Sequence, residues 1–279
     1  MDIALLSDFP TLAGALIKSM MVSGLQLIAF LGVFVVVGFL IDRMELKRNY
    51  WIRSTVGNKG IYATALIGVP VHEMGHALMC VVFGHKVEQI KLVQFGAEDG
   101  TMGFVNHSYE PNNMFHRIGL FFIGIAPILM GVVVITLTLF FTLPETFHKW
   151  IEAVSASDEM SDILSTAGVL MTSLFSLENL SNPWFYLFMV LSVSIASHMS
   201  LSKSDIVGAG SGLISMYVIA VIFNLVFLSA RGGDMGITEL FMNEYNVFML
   251  SISLIAILLA GFASMIAFLL FETKKRIFG

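Results

Sequence analysis

Apolar residues run in long blocks along this chain, and polar residues collect in the intervals between them. Six blocks read as membrane-spanning helices by length and apolarity: about Met20–Ile41, Ile61–Phe83, Ile118–Phe141, Trp184–Ser197, Ile206–Ala230 and Val247–Phe271. The fourth is short for a full crossing. A shorter piece, Ile3–Ile17, contains Pro10 and is expected to lie at the membrane interface. The interval Asp42–Lys59 is basic, with Arg43, Lys47, Arg48, Arg53 and Lys59, and is expected to be a loop. The interval 142–183 is acidic, holds the single basic residue Lys149, and is expected to be extramembrane. Within it, Ile163–Leu180 is apolar but carries Ser, Thr and Glu178, which suits an extramembrane or interfacial helix, a seventh span being the alternative.

One interval breaks the helical pattern. Val87–Phe95 and Thr101–His107 are rich in β-formers, and Asp99-Gly100 between them is a tight-turn signal, so a hairpin is expected over Gly84–Arg117. The predicted fold class is an all-α polytopic membrane protein with about six transmembrane helices and a small β-hairpin after the second. It would form one integral membrane domain over residues 1–279, with its core at 61–208.

Composition agrees with that class. The chain is 57% hydrophobic and 13% charged, with a mean hydropathy of +0.85, whereas soluble domains are nearer a quarter charged. With 15 Lys and Arg and no basic stripe, nucleic-acid binding is not expected. The single cysteine, Cys80, excludes an internal disulfide; four residues beyond His76 it could face the same site as a ligand, but a packing role is favoured. The first basic residue is Lys18, after Asp2 and Asp8, so the start lacks the positive region of a secretory signal. The first apolar helix is therefore expected to be retained.

The chemistry concentrates in the second apolar block, at His72-Glu73-Met74-Gly75-His76. Residues four apart on a helix share a face, so His72 and His76 can address one ion. Neutral imidazole is a common zinc ligand. Glu73 projects from a neighbouring angle and can reach a water on the metal without being a ligand itself. A carboxylate at membrane depth costs roughly 2.5–3.5 kcal/mol. A helix with only a packing role has no reason to carry Glu and two His there.

Catalytic zinc has three protein ligands and one open position. The third ligand is sought at Ser197–Gly208, where a polar stretch separates the fourth and fifth apolar blocks. A short helix, a polar break and a new helix opening with Asp is a way to place ligands at depth. Asp205 is the favoured ligand and His198 the alternative; an ordinary loop with Ser204 or Asp205 as a helix cap is the plain reading. His85, His107, His116 and His148 lie in polar intervals and are expected to be solvated or hydrogen-bonded. Asn224, in the middle of a helix, suits packing as well as any catalytic role.

The order of these features resembles the site-2 protease family of intramembrane zinc metalloproteases. The resemblance spans roughly Ile61–Gly208: the His-Glu-x-x-His helix, a hairpin, a Gly/Pro-bearing helix (Phe122-Ile123-Gly124-Ile125-Ala126-Pro127) and a later break with Asp. That family's third ligand lies in a motif of the type Asn-x-x-Pro-…-Leu-Asp-Gly. This chain has Ser204-Asp205-Ile206 instead, without the Pro and with Gly208 three residues on. It also lacks room for a PDZ domain, so the resemblance is to a compact, divergent branch. It implies a zinc endopeptidase with His72, His76 and Asp205 on the metal and Glu73 as catalytic base. Its partners would be the lipid bilayer and a membrane protein or peptide substrate, and its location a cell membrane. Two rivals are a catalytically inactive zinc-binding scaffold and a transporter subunit. An intact Glu73 between the histidines argues against both.

Overall fold

The computed structural model describes residues 12–97, 100–156, 162–231 and 244–278. The expected interfacial piece Ile3–Ile17 falls mostly outside them, as do Glu98 and Asp99 of the expected turn. The described chain is mostly helical, with one small sheet. Helix α1 is Leu12–Val56 and α2 is Asn58–Val82. Strands β1, Lys86–Lys91, and β2, Phe104–Ser108, follow. Then come α3 (Met114–Thr142), α4 (Pro144–Ser155), α5 (Ile163–Leu174), α6 (Leu177–Leu180), α7 (Pro183–Ala196), α8 (Lys203–Arg231) and α9 (Glu244–Phe278).

Among the described residues four helical stretches are long and apolar enough to cross a membrane: Asn58–Val82, Met114–Thr142, Lys203–Val226 and Phe248–Ile277. Pro183–Ala196 is apolar but short, as its sequence suggested.

The basic interval Asp42–Lys59 is not a loop. Helix α1 runs through it to Val56, and a single residue, Gly57 at φ 73°, separates it from α2. Lys, Arg, Glu, Leu and Met are good helix formers. Arg43, Lys47 and Arg53 stay exposed while Arg48 turns inward. Lys274 of α9 donates to the carbonyls of Ser54 and Thr55 at 3.0 and 2.9 Å, holding the free carbonyl end of α1. The acidic interval is likewise helical, as α4, α5 and α6, in place of one helix over Ile163–Leu180. Trp150 of α4 and Leu170 and Leu174 of α5 are buried in the shared core.

That core is built around α3. Phe121, Ile125, Ile128, Ile135 and Leu139 of α3 pack with Phe34, Val37 and Ile41 of α1 and with Ile252, Ile255 and Leu259 of α9. Lipid and side chains are similarly apolar, so membrane helices associate through close approach at small residues. Three glycines show this. A Cβ on Gly68 would lie 2.3 Å from the Ser194 carbonyl of α7, one on Gly75 2.8 Å from the Ala126 carbonyl of α3, and one on Gly124 2.4 Å from the Asp205 carbonyl of α8. These three contacts draw α2, α3, α7 and the start of α8 together. Asn224 of α8 donates to Ser23 and Gln26 of α1, at 2.7 and 2.9 Å, so it acts in helix packing.

The hairpin is present with a longer loop than a two-residue turn gives. Its strands pair antiparallel, Lys86 opposite Ser108 and Lys91 opposite Phe104, with a register shift between Val87 and Gln89. Beyond β1 the Gln94 amide still donates to the Met102 carbonyl at 2.7 Å, and Gly100 closes a turn onto Ala97. The Phe95 ring packs tilted against that of Tyr62, with centroids 4.5 Å apart, so the loop leans along α2. At the other end His85 is buried, donates through Nε2 to the His116 carbonyl at 2.8 Å, and meets His107 Nδ1 at 3.0 Å. Burial pushes both His85 and His107 below the ordinary histidine value, which favours their neutral forms.

Candidate metal centre

His72, Glu73 and His76 sit in the C-terminal half of α2, and the four-residue spacing places both imidazoles on one side. Each ring donates its Nδ1 proton to a backbone carbonyl: His72 to His198 and His76 to Ile123, both at 2.8 Å. A carbonyl oxygen can only accept, so Nδ1 carries the hydrogen in both rings. In the neutral rings each Nε2 is therefore a bare lone pair. The two Nε2 atoms face each other at 3.1 Å, and Asp205 Oδ1 lies 3.5 Å from that of His76.

Two nitrogen lone pairs and a carboxylate oxygen thus converge, with ligand atoms from all three side chains within 4.8 Å of one another. Lone pairs at that spacing repel unless a positive charge, a proton or a metal ion, stands among them. Two imidazoles and one carboxylate are donors suited to zinc, and the other imidazole nitrogens are tied to carbonyls, as they are around bound metals. The residues present fit a metal ion.

Neither Ser204 nor Asp205 is the helix cap: α8 starts at Lys203, so Ser202 takes that position and Asp205 lies three residues on, inside the first turn. Asp205 Oδ2 accepts from the Ser202 amide at 2.8 Å, and its own amide donates to Ser202 Oγ at 3.2 Å. This reciprocal pair opens α8 in the manner of a capping box. One carboxylate oxygen is consumed by this box, and the other is aimed at the histidines. Bracing the helix start and ligation are here two uses of one side chain.

His198 contributes through its backbone. Its ring points away from the histidine pair: Nε2 meets Thr64 Oγ1 at 3.1 Å, and Nδ1 lies 3.8 Å from Glu45 Oε1. It stands outside the convergent group, and its carbonyl orients His72 instead. Cys80 is fully buried one turn beyond His76, also outside the group.

Glu73 is buried, 6% exposed, and is not among the three convergent residues. The hairpin covers it. A Cβ on Gly103, just before β2, would lie 2.9 Å from Glu73 Oε1 and 2.7 Å from Val69 Cγ1. Only a residue without a side chain lets the main chain approach the carboxylate this closely.

Arg48, expected in a loop, and Glu45, which the sequence did not single out, both lie on α1 and belong to the surroundings of the site. The Glu45 carboxylate accepts from the Ser200 hydroxyl and lies 3.8 Å from Arg48. Their i, i+3 spacing on a continuing helix was the available signal.

No family model, no curated protein and no solved structure matches the chain.

Proposed function

We propose that the chain is an intramembrane zinc metalloprotease of the site-2 protease type, which hydrolyses peptide bonds of membrane-associated substrates. The observation that carries this reading is the convergence of His72 Nε2, His76 Nε2 and Asp205 Oδ1 beside a buried glutamate, on a helix long and apolar enough to cross a membrane. A structural ion pair needs one carboxylate and one base. Here two carboxylates and two oriented imidazoles are gathered within one helix turn and one helix start. The span count proposed remains about six, adding α1 and the short α7 to the four spanning stretches, with a cell membrane as the location.

In this reading His72, His76 and Asp205 hold the ion. When bound, zinc supplies Lewis acidity and brings the pKa of water to about 7. Glu73 takes a proton from the attacking water and returns it to the leaving amine. The backbone carbonyls of His198 and Ile123 hold the imidazoles in the ligating tautomer throughout. Gly103 brings the main chain of the hairpin against the Glu73 carboxylate.

Metal analysis of the purified full chain, paired with cleavage of a membrane-segment substrate, tests this. Wild type should carry about one zinc per chain, lost in His72→Ala and His76→Ala and kept in Glu73→Gln. Cleavage should fall about 10²–10⁴-fold in Glu73→Gln, the usual share of a general base. A wild type that binds no zinc when purified without chelators would sink the reading. Zinc with no cleavage in either protein would leave the scaffold alternative.

A further inference from the structure

His76 takes its orientation from a carbonyl that an ordinary helix would not offer. In an α-helix the carbonyl of residue i accepts from the amide of residue i+4. For Ile123 that residue is Pro127, inside α3, and proline has no N–H. The Ile123 carbonyl is thus released from the helix ladder at a buried point of the membrane core, where a partner is required. The partner is His76 Nδ1, at 2.8 Å.

The packing of α2 on α3 supports the match. Gly75, next to His76, is where the two helices come closest. A Cβ there would lie 2.8 Å from the Ala126 carbonyl and 3.0 Å from Met130 Cβ. Gly75 lets α2 approach, and Pro127 supplies the acceptor on the same turn of α3. Neither residue touches the convergent atoms. Their joint product is an imidazole whose Nδ1 is engaged and whose Nε2 lone pair faces His72 and Asp205.

We propose that Pro127 is a positioning residue for the metal ligand His76: by withholding a backbone N–H it reserves the Ile123 carbonyl for the imidazole. This rests on the metal-centre reading of the site. With alanine at 127 a helical amide competes for that carbonyl, the Nδ1 bond is shared or lost, and the ring loses its fixed tautomer and angle. Loss of such an orienting partner typically lowers metal affinity about 10–100-fold.

A purely structural role for the proline predicts something different. Alanine is the best helix former and proline the worst, so Pro127→Ala should leave the helix as stable or more so. The test is chelator competition for zinc on full-length wild type and Pro127→Ala in detergent, with the melting temperature of each metal-free protein. The expected result is a 10–100-fold weaker zinc affinity together with an unchanged or raised melting temperature. Cobalt-loaded samples should show a changed visible absorption band, which reports geometry at the ion directly. Unchanged affinity and spectrum in a folded variant overturn the proposal. So does a variant that fails to fold, because the missing N–H would then be serving the helix and not the histidine. A wild type that binds no zinc overturns it through the metal reading, by a measurement that needs no variant.

Discussion

Arg48 Nη2 in α1 donates a 2.7 Å hydrogen bond to the carbonyl of Ser197, the residue that closes α7. The next carbonyl along the chain, that of His198, receives the Nδ1 proton of His72. Two successive carbonyls of the break are thus held from opposite sides, one by α1 and one by α2. A cation at the end of α7 also meets the negative end of its dipole. Glu45 completes the hold by accepting from Ser200.

The first expected outcome follows from the burial of this contact, with Arg48 only 2% exposed. Arg48→Met removes the donor and leaves the Ser197 carbonyl unpaired. A buried polar group without a partner costs about 1–3 kcal/mol. Thermal unfolding should show that loss. Zinc affinity should fall with it, because the peptide that orients His72 is no longer pinned. Arg48→Lys should recover part of both. Equal affinity and stability in Arg48→Met would show that the break holds its shape without α1.

Asp205 and His198 separate cleanly by experiment. Asp205→Ala removes the Oδ1 that faces His76 and the Oδ2 that accepts from the Ser202 amide, so zinc content and cleavage should both be lost. His198→Ala deletes a ring that touches Thr64 and Glu45 but keeps the carbonyl that His72 uses. Zinc should therefore remain in His198→Ala, with stability reduced through the lost buried contacts. Zinc lost from His198→Ala and kept in Asp205→Ala would transfer the ligand role to His198.

The sequence showed its side chains more readily than its backbone partners. The spacing of His72 and His76, the short α7, the polar break and Asp205 were all readable, because periodicity and charge at membrane depth are written in side-chain identity. The Ile123 and His198 carbonyls carry no such mark, since every residue has a carbonyl. Pro127 offered one indirect signal, being a residue that must leave the carbonyl four positions earlier free. The Asp42–Lys59 interval misled for a different reason. Its charges looked like a loop, but a helix that leaves the membrane region keeps the same residues. Arg43, Lys47 and Arg53 are exposed, and only Arg48 turns in.

The last expected outcome concerns the hairpin. A peptide bond within a helix is shielded by its own i→i−4 hydrogen bonds, so a substrate segment must unwind before it can be cut. Unwinding at membrane depth leaves N–H and C=O groups that cost several kcal/mol each unless paired. A two-stranded sheet has two outer edges, and an extended segment can pair with either. The approach to β2 passes directly over Glu73, where Gly103 brings main chain against the carboxylate. A segment paired along that edge would place its peptide bonds beside Glu73. A Cβ at position 103 would stand 2.7 Å from Val69 Cγ1 and 2.8 Å from Glu73 Cγ. Such distances force the strand or the glutamate to move. Gly103→Val should therefore reduce cleavage by an order of magnitude or more, since even about 1 Å of misplacement can cost 10²-fold. Zinc content should be unchanged, because none of the three convergent residues is touched. Wild-type cleavage rates in a folded, zinc-loaded Gly103→Val variant would remove the hairpin from the path of the substrate.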